Sequence, residues 1–364
     1  MFDSITVELY TTLDCNLNCA WCFQDRTQSK AKRMPIELAE EAMHKAVGYK
    51  EVTVNFIGGE PLMVGDAYVK ELFYTVKAIA LEQNQAFRAQ MITNGVLLTQ
   101  EFIEWAQTED FHIIMSYDGP GKKHPKTKRN LPAIGKIQKQ KSPLYMDDNV
   151  LMIIHDTNVD HLCSTVDDLH KAGIHKIHLG CDAFLPREKM MHYLDKLKEM
   201  WDYINDNNIP MYFGLIMDLL CYERYKRTNK LTFRFQEEFG RYNLGSEVHV
   251  YPDGQIRPCL ATINGQFKHI SEYNHFYDYF VSPEYQGYIQ NWLQSLQTKT
   301  GIQEVDEFIT YARSGSIFFF NNKVKSNTNL SSQNITHIQM MLRLLEHITS
   351  KPINNKYYKR LLGC

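Results

Sequence analysis

Three cysteines near the start of the chain are the residues best placed to do chemistry. Cys15, Cys19 and Cys22 stand in the run Cys15-Asn16-Leu17-Asn18-Cys19-Ala20-Trp21-Cys22, with three residues inside the first pair and two inside the second. A tight loop with this spacing can aim three thiolates at one small metal cluster. A four-iron cluster has four irons to ligate, so three thiolates leave one iron open. An open iron can bind and activate a ligand, as an open position separates catalytic from structural zinc. The alternatives are three unrelated thiols or a zinc knuckle. Zinc asks for a fourth Cys or His close by, and the next of each are His44 and Cys163.

A second run belongs with the first. Val52 to Ile57 alternates and is β-branched, which predicts a strand. It ends in Gly58-Gly59-Glu60-Pro61, beginning 36 residues after Cys22. Two glycines let backbone approach a ligand closely, and Glu60 can accept a hydrogen bond from an ammonium group. Alone, the four residues are also an ordinary strand-to-loop turn. Together, the cysteine loop and this turn resemble the radical S-adenosylmethionine (SAM) superfamily, and Trp21 before the third cysteine fits its pattern. The resemblance implies that Cys15, Cys19 and Cys22 hold a [4Fe-4S] cluster whose open iron chelates the amino and carboxylate groups of SAM. It implies that an electron delivered to the cluster cleaves SAM to methionine and a 5′-deoxyadenosyl radical, which takes a hydrogen atom from the substrate. A low-potential donor such as flavodoxin or ferredoxin is implied with it. Glu60 and the backbone of Gly58 and Gly59 would hold the methionine ammonium, with Pro61 counted in the same SAM-binding run.

These motifs need a scaffold. Strand and helix signals alternate from residue 5 to about 217. Strands are predicted at Ile5 to Tyr10, Val52 to Ile57, Phe87 to Ile92, His112 to Ser116, Asn149 to Ile154 and Lys176 to Gly180. Helices are predicted at Pro35 to Val47, Ala67 to Glu82, Thr99 to Ala106, Pro132 to Gln140, Val159 to Ala172 and Arg187 to Asn205. Six β/α units predict an α/β fold with a parallel sheet and helices outside. Right-handed crossovers curl such a sheet toward a barrel, and the resemblance implies a partial (β/α)6 barrel. Active-site groups of barrels sit at the carboxyl ends of strands. The cysteine loop, Gly58 to Pro61, Thr93 to Gly95 and Ser116 to Asp118 all lie there.

The chain changes character after about 217, so a barrel over 1–217 and a smaller α+β extension over 218–364 are expected. Val248 to Tyr251 and Ile256 to Cys259 flank Pro252-Asp253-Gly254-Gln255, a β-hairpin with an Asp-Gly turn. Helices are predicted at Pro283 to Leu296, capped by Ser282, and at Ile335 to Ile348. The hairpin resembles the entry to the SPASM or twitch extension of peptide-modifying radical SAM enzymes. Thr93 to Leu98 and Ser116 to Pro120 resemble segments of anaerobic sulfatase-maturating enzymes. Two departures stand out. Only Cys259 matches the extension's cysteines, leaving Cys221 and Cys364 as the other downstream thiols. After Asp118-Gly119-Pro120 the chain reads His124-Pro125 with Arg129, where the family often shows His-Asp and then Arg. A single cluster is therefore expected, with no auxiliary one, because scattered thiols must close long loops.

Further candidates follow from position. The resemblance implies that Ser116 and Asp118 bond the SAM ribose and that Thr93 and Asn94 line its pocket; simple turn and cap roles are the alternatives. Along Lys176 to Asp182, Ile177 and Leu179 share parity with Cys181. Outer faces of barrel strands are apolar, so His178 and Asp182 are expected inside and Cys181 outside. All three are candidate catalytic groups.

Composition narrows the rest. The chain has 364 residues, 44% hydrophobic and 23% charged, with formal net charge -2, which gives no global nucleic-acid footprint. The run 121–142 is the exception, with eight Lys or Arg and no acid. It reads as a solvated face or as a polyanion patch. The cysteine spacing is no disulfide framework, no signal peptide opens the chain, and no apolar stretch reaches the ~20 residues of a membrane span. A reducing cytoplasm is expected. The pattern opening at residue 5 leads us to expect no leader-binding domain ahead of it. The leading expectation is radical modification of a peptide or protein: crosslinking, epimerisation or oxidation. The alternatives are modification of a nucleoside, nucleotide or nucleic-acid base, and a non-catalytic iron–sulfur electron carrier.

Overall fold

The computed structural model describes residues 3–19, 22, 33–119, 130–135, 150–181, 187–229, 247–258, 267–295, 299–311, 332–355 and 358–359. Strands and helices alternate in the order expected. The first of two compact units takes in residues 1–114, 241–292 and 322–327. It carries β1 (Ser4–Thr12), α1 (Ile36–Lys45), β2 (Glu51–Gly58), α2 (Asp66–Glu82), β3 (Ala86–Thr93), α3 (Gln100–Thr108) and the start of β4 (Phe111–Ser116).

The sheet is parallel because each helix returns the chain to the same edge. Register fixes its faces: Val7 lies beside Val54 and Leu9 beside Phe56, and Val54 and Phe56 lie beside Ala89 and Met91. These residues are buried, as suits strands covered by helices. Phe73 of α2 meets Trp105 of α3 at 5.3 Å and Phe111 of β4 at 5.4 Å, both edge to face, a favoured aromatic geometry. Pro35 stands just before α1, and Thr99 caps α3 by accepting from the Phe102 N–H at 3.1 Å.

The hairpin forms, and it lies in the first unit. β8 (Glu247–Val250) and β9 (Ile256–Arg257) pair antiparallel, with Gly254 at φ +82° in the turn. β8 also pairs in parallel with β1, setting Val7 beside Val248 and Glu8 beside His249. The hairpin thus covers the backbone edge of β1 that an open sheet leaves exposed. The strand order in this unit is β4-β3-β2-β1-β8-β9.

The second unit takes in residues 115–240, 293–321 and 328–364. It continues from the end of β4 through β5 (Val150–Ile154), β6 (Lys176–Cys181) and β7 (Tyr212–Phe213), all parallel. The boundary expected between 217 and 218 falls inside the helix Gly214–Thr228. That helix is buried nearly all round over its first nine residues, which erases amphipathic periodicity. Near the carboxyl terminus, Asn355 donates to the Ile209 and Met211 carbonyls at 2.8 and 3.0 Å, and the Phe213 N–H donates to the Tyr358 hydroxyl at 2.7 Å. Among the described residues no helix is long and apolar enough to cross a membrane.

Candidate functional site

The site is built where β1 and β2 end. Cys15, Cys19 and Cys22 are half-buried and none is in a disulfide. The Cys22 N–H donates to the Cys19 carbonyl at 3.2 Å. The Cys15 sulfur accepts from the Leu17 N–H at 3.4 Å and from Asn94 Nδ2 at 3.8 Å. Such N–H donors favour the thiolate, the form that ligates metal. Among the described residues, no trio of His, Cys, Asp or Glu converges closely enough for one metal ion. A four-iron cubane asks for something else, three thiolates that each take a different iron. Three half-buried thiols on one loop, none of them in a disulfide, match that donor set in kind. Trp21 lies outside the described residues.

The glycines have a local reason that the sequence did not specify. Gly58 sits at φ +137°, and a Cβ there would lie 2.0 Å from the Thr12 carbonyl oxygen. At Gly59 a Cβ would lie 2.2 Å from the Asp14 oxygen and 2.5 Å from that of Leu13. The turn after β2 therefore presses backbone to backbone against the segment leading into the cysteine loop. The Gly59 N–H donates to the Thr12 carbonyl at 2.9 Å and the Glu60 N–H to that of Asp14 at 2.8 Å. Pro61 opens a 3-10 turn, Pro61–Val64.

Glu60 is enclosed. Its Oε1 accepts from the Thr93 hydroxyl at 2.7 Å and the Leu62 N–H at 3.1 Å, and its Oε2 from the Asn94 N–H at 2.7 Å. Burial pushes its carboxyl above the usual range, against the pull of these three donors. The carboxylate expected to meet an ammonium group spends these bonds inside the protein, tying the loop after β2 to the loop after β3. Asn94 extends the chain of contacts, donating from Nδ2 to Asn16 Oδ1 at 2.8 Å. Thr93 and Asn94 also turn their own loop, accepting from the Gly95 and Val96 N–H groups.

The other candidates belong to the second unit. Asp118 Oδ1 accepts from the Ile153 N–H at 2.8 Å, and its Oδ2 lies 3.7 Å from His155 Nε2. Ser116, half-buried, pairs with Leu151. His178 is half-buried between fully buried Ile177 and Leu179, and its surroundings push its imidazole down to about 4. Cys181 ends β6, but its side chain, like Asp182, lies outside the described residues, as do Cys259, Cys364 and every Lys and Arg of 121–142. Cys221 is buried in its helix and Cys163 half-buried.

Sequence reasoning missed a polar layer on the inner face of the first unit's sheet. Register sets His249, Glu8, Asn55 and Gln90 side by side across β8, β1, β2 and β3. Asn55 Nδ2 donates to Glu8 Oε1, and both side chains are buried. His249 Nε2 lies 2.7 Å from Glu247 Oε1, and its Nδ1 3.3 Å from the Tyr10 hydroxyl. Burial, and then Glu247, push the Glu8 carboxyl up to about 8; burial alone does the same to Glu247, and burial pushes the His249 imidazole down to about 4. A signal existed: Glu8 between Val7 and Leu9, and Asn55 between Val54 and Phe56, are polar residues inside strands too apolar to be exposed.

Two measurements check this geometry. Gly59→Ala must displace the Leu13 and Asp14 carbonyls, and we expect a loss of about 1–3 kcal/mol in denaturant unfolding. Gly287→Ala, on a helix with open space around the position, should be neutral or stabilising by up to about 1 kcal/mol. The second concerns pH. The folded chain holds the Glu8 proton up to about 8, whereas a carboxyl in the unfolded chain releases it near 4.5. This stabilisation is complete below the lower value and lost as pH rises through the higher, by at most about 1.4 kcal/mol per pH unit. Glu8→Gln should therefore flatten the decline in stability over that interval; an unchanged pH profile contradicts the burial.

Comparison with known proteins places this arrangement. Residues 9–135 match the model of the radical SAM superfamily. The chain is 22% identical over 297 residues to the radical SAM cyclopropyl synthase TigE of Paramaledivibacter caminithermalis, covering 73% of this chain and 59% of that protein. It is 22% identical over 289 residues to the serine-type anaerobic sulfatase-maturating enzyme of Klebsiella aerogenes, covering 70% and 66%. The matches thus span less than two thirds of either relative's own length. The solved structure of anSMEcpe with bound AdoMet superposes with a TM-score of 0.73 at 15% identity, over 95% of this chain and 99% of that one, and the same protein has also been solved with AdoMet and a Cp18Cys peptide. The cysteine loop and the glycine turn both lie inside the matched segment, so residues 9–135 form a radical SAM domain.

Proposed function

We propose that this protein is a radical SAM enzyme that modifies a peptide or protein side chain. The observation that carries the reading is the clamp at the first unit's strand ends, where the glycine turn and Asn94 fix the segment bearing the three cysteines. Cys15, Cys19 and Cys22 would hold a [4Fe-4S] cluster, each on its own iron. Bound there, that cluster and SAM would supply one-electron chemistry and carbon–sulfur bond cleavage.

The chain's own residues place and shield that chemistry. We assign the contact with the methionine ammonium to peptide groups of Gly58, Gly59 and Glu60, and a latching role to the Glu60 carboxylate. Thr93 and Asn94 hold the neighbouring loop against it. Ser116 and Asp118 are assigned to the ribose hydroxyls, and His178 is retained as the candidate group for handling a substrate proton, with Cys181 and Asp182 beside it in sequence. A peptide partner is supported by the peptide-bound form of the similar structure. A flavodoxin or ferredoxin as electron donor, and the reducing cytoplasm that suits a labile cluster, complete the proposal.

The test is SAM cleavage. Reconstituted and reduced without oxygen, the protein should release 5′-deoxyadenosine from SAM and hold about four irons per chain. Cys19→Ala should abolish the product, and the Cys15/Cys19/Cys22→Ala variant should hold essentially no iron. Undiminished product from Cys19→Ala contradicts the assignment, and about four irons in the triple variant would reveal a second cluster.

A further inference from the structure

The inner polar layer contains a continuous chain of hydrogen bonds. Glu247 and His249 share one face of β8, about 7 Å apart along the strand, and Tyr251 follows just after it. Tyr10 sits beside Tyr251, its ring stacked on it at 4.1 Å, and its hydroxyl reaches down to His249 Nδ1 at 3.3 Å. His249 Nε2 continues to Glu247 Oε1 at 2.7 Å. The two ends face different surroundings. The Glu247 side chain keeps 13% of its surface exposed, at the amino-terminal end of the strands, while the His249 side chain has none. Tyr10 is buried with Leu13, Ile57 and Tyr251, one step below the contact between Thr12 and Gly58 that leads into the cysteine loop.

We propose that Tyr10, His249 and Glu247 form a proton relay linking solvent at the amino-terminal rim of the sheet to the cysteine-loop end of the first unit. Imidazole is suited to this because it accepts at one nitrogen while it donates from the other. A proton arriving at the Tyr10 oxygen sends the phenol's own proton to His249 Nδ1, the Nε2 proton to Glu247, and the carboxyl proton to water. No electron moves and every proton is passed on. Run in reverse, the same chain delivers a proton. The groups facing it are Glu8 and Tyr10 of β1, Asn55 of β2, and Arg257 of β9, which lies opposite His249 in the hairpin register. Glu8 is held by Asn55 and adds a second carboxyl at the relay's midpoint. The use of the relay rests on the radical reading, since oxidising a peptide side chain releases a proton that a closed site must export. The measurement below needs neither cluster nor SAM, so the two can fail separately.

The experiment is hydroxyl exchange at Tyr10, read from the deuterium isotope shift of the ring Cζ in the full-length protein with selectively 13C-labelled tyrosine. A buried phenol without a relay exchanges only when the structure opens. With one, the Tyr10 hydroxyl should exchange at least tenfold faster than in Glu247→Gln and in His249→Phe. Protection of the Leu9 backbone amide, followed in the same samples, separates relay exchange from unfolding. The near-isosteric Glu247→Gln carries the test if His249→Phe does not fold. Exchange at Tyr10 that is unchanged in either folded variant, or that tracks the Leu9 amide in the wild type, overturns the proposal.

Discussion

A buried carboxylate organises the working edge of the first unit. Glu60 takes hydrogen bonds from two loops, and its enclosure makes each of them costly to lose. Leaving a buried hydrogen-bonding group without its partner costs about 1–3 kcal/mol, so the loops after β2 and β3 are tied as one body. Asn94 carries the connection to Asn16 and Cys15. From the other side, Gly58 and Gly59 admit the backbone of residues 12–14 at distances no side chain allows. The cysteine loop is thus held at its entrance by the glycines and at Cys15 and Asn16 by Asn94. Such fixing lowers the ordering cost that binding a metal cluster would otherwise have to offset.

Much of this was legible in the sequence. The alternation of strand and helix, the two motifs and their place at strand ends all follow from periodicity and turn chemistry. What could not be read was the purpose of particular atoms. A Gly-Gly-Glu-Pro run says that backbone comes close to something; register showed that for Gly58 and Gly59 this something is the chain itself at Thr12, Leu13 and Asp14. An acidic side chain beside a ligand motif suggests ligand contact; the distances around Glu60 show it also accepting three hydrogen bonds within the protein. The hairpin at 247–257 was recognised, but its parallel pairing with β1 joins residues over 230 positions apart, and local pattern carries no information on such a partner.

The two faces of the first unit's sheet divide the labour. One face is aliphatic and aromatic, packed under α1 to α3. The other carries Glu8, Asn55, Glu247 and His249. Sequences usually satisfy local preference, core packing and polar pairing together, and depart from them at functional sites. Two buried carboxyls pushed up to about 8 beside an imidazole pushed down to about 4 are such a departure, and perturbed groups of this kind concentrate where proteins do chemistry. The hairpin that supplies His249 and Glu247 thus brings titratable groups to a sheet edge as well as covering it.

The central claim is that the three cysteines form one cluster with an iron left open for SAM. The most direct measurement is electron paramagnetic resonance of the reconstituted, dithionite-reduced protein before and after SAM is added. The account predicts the signal of a reduced four-iron cluster whose g values shift when SAM occupies the open iron. A signal that SAM leaves unchanged, or the absence of any four-iron signal, would contradict it.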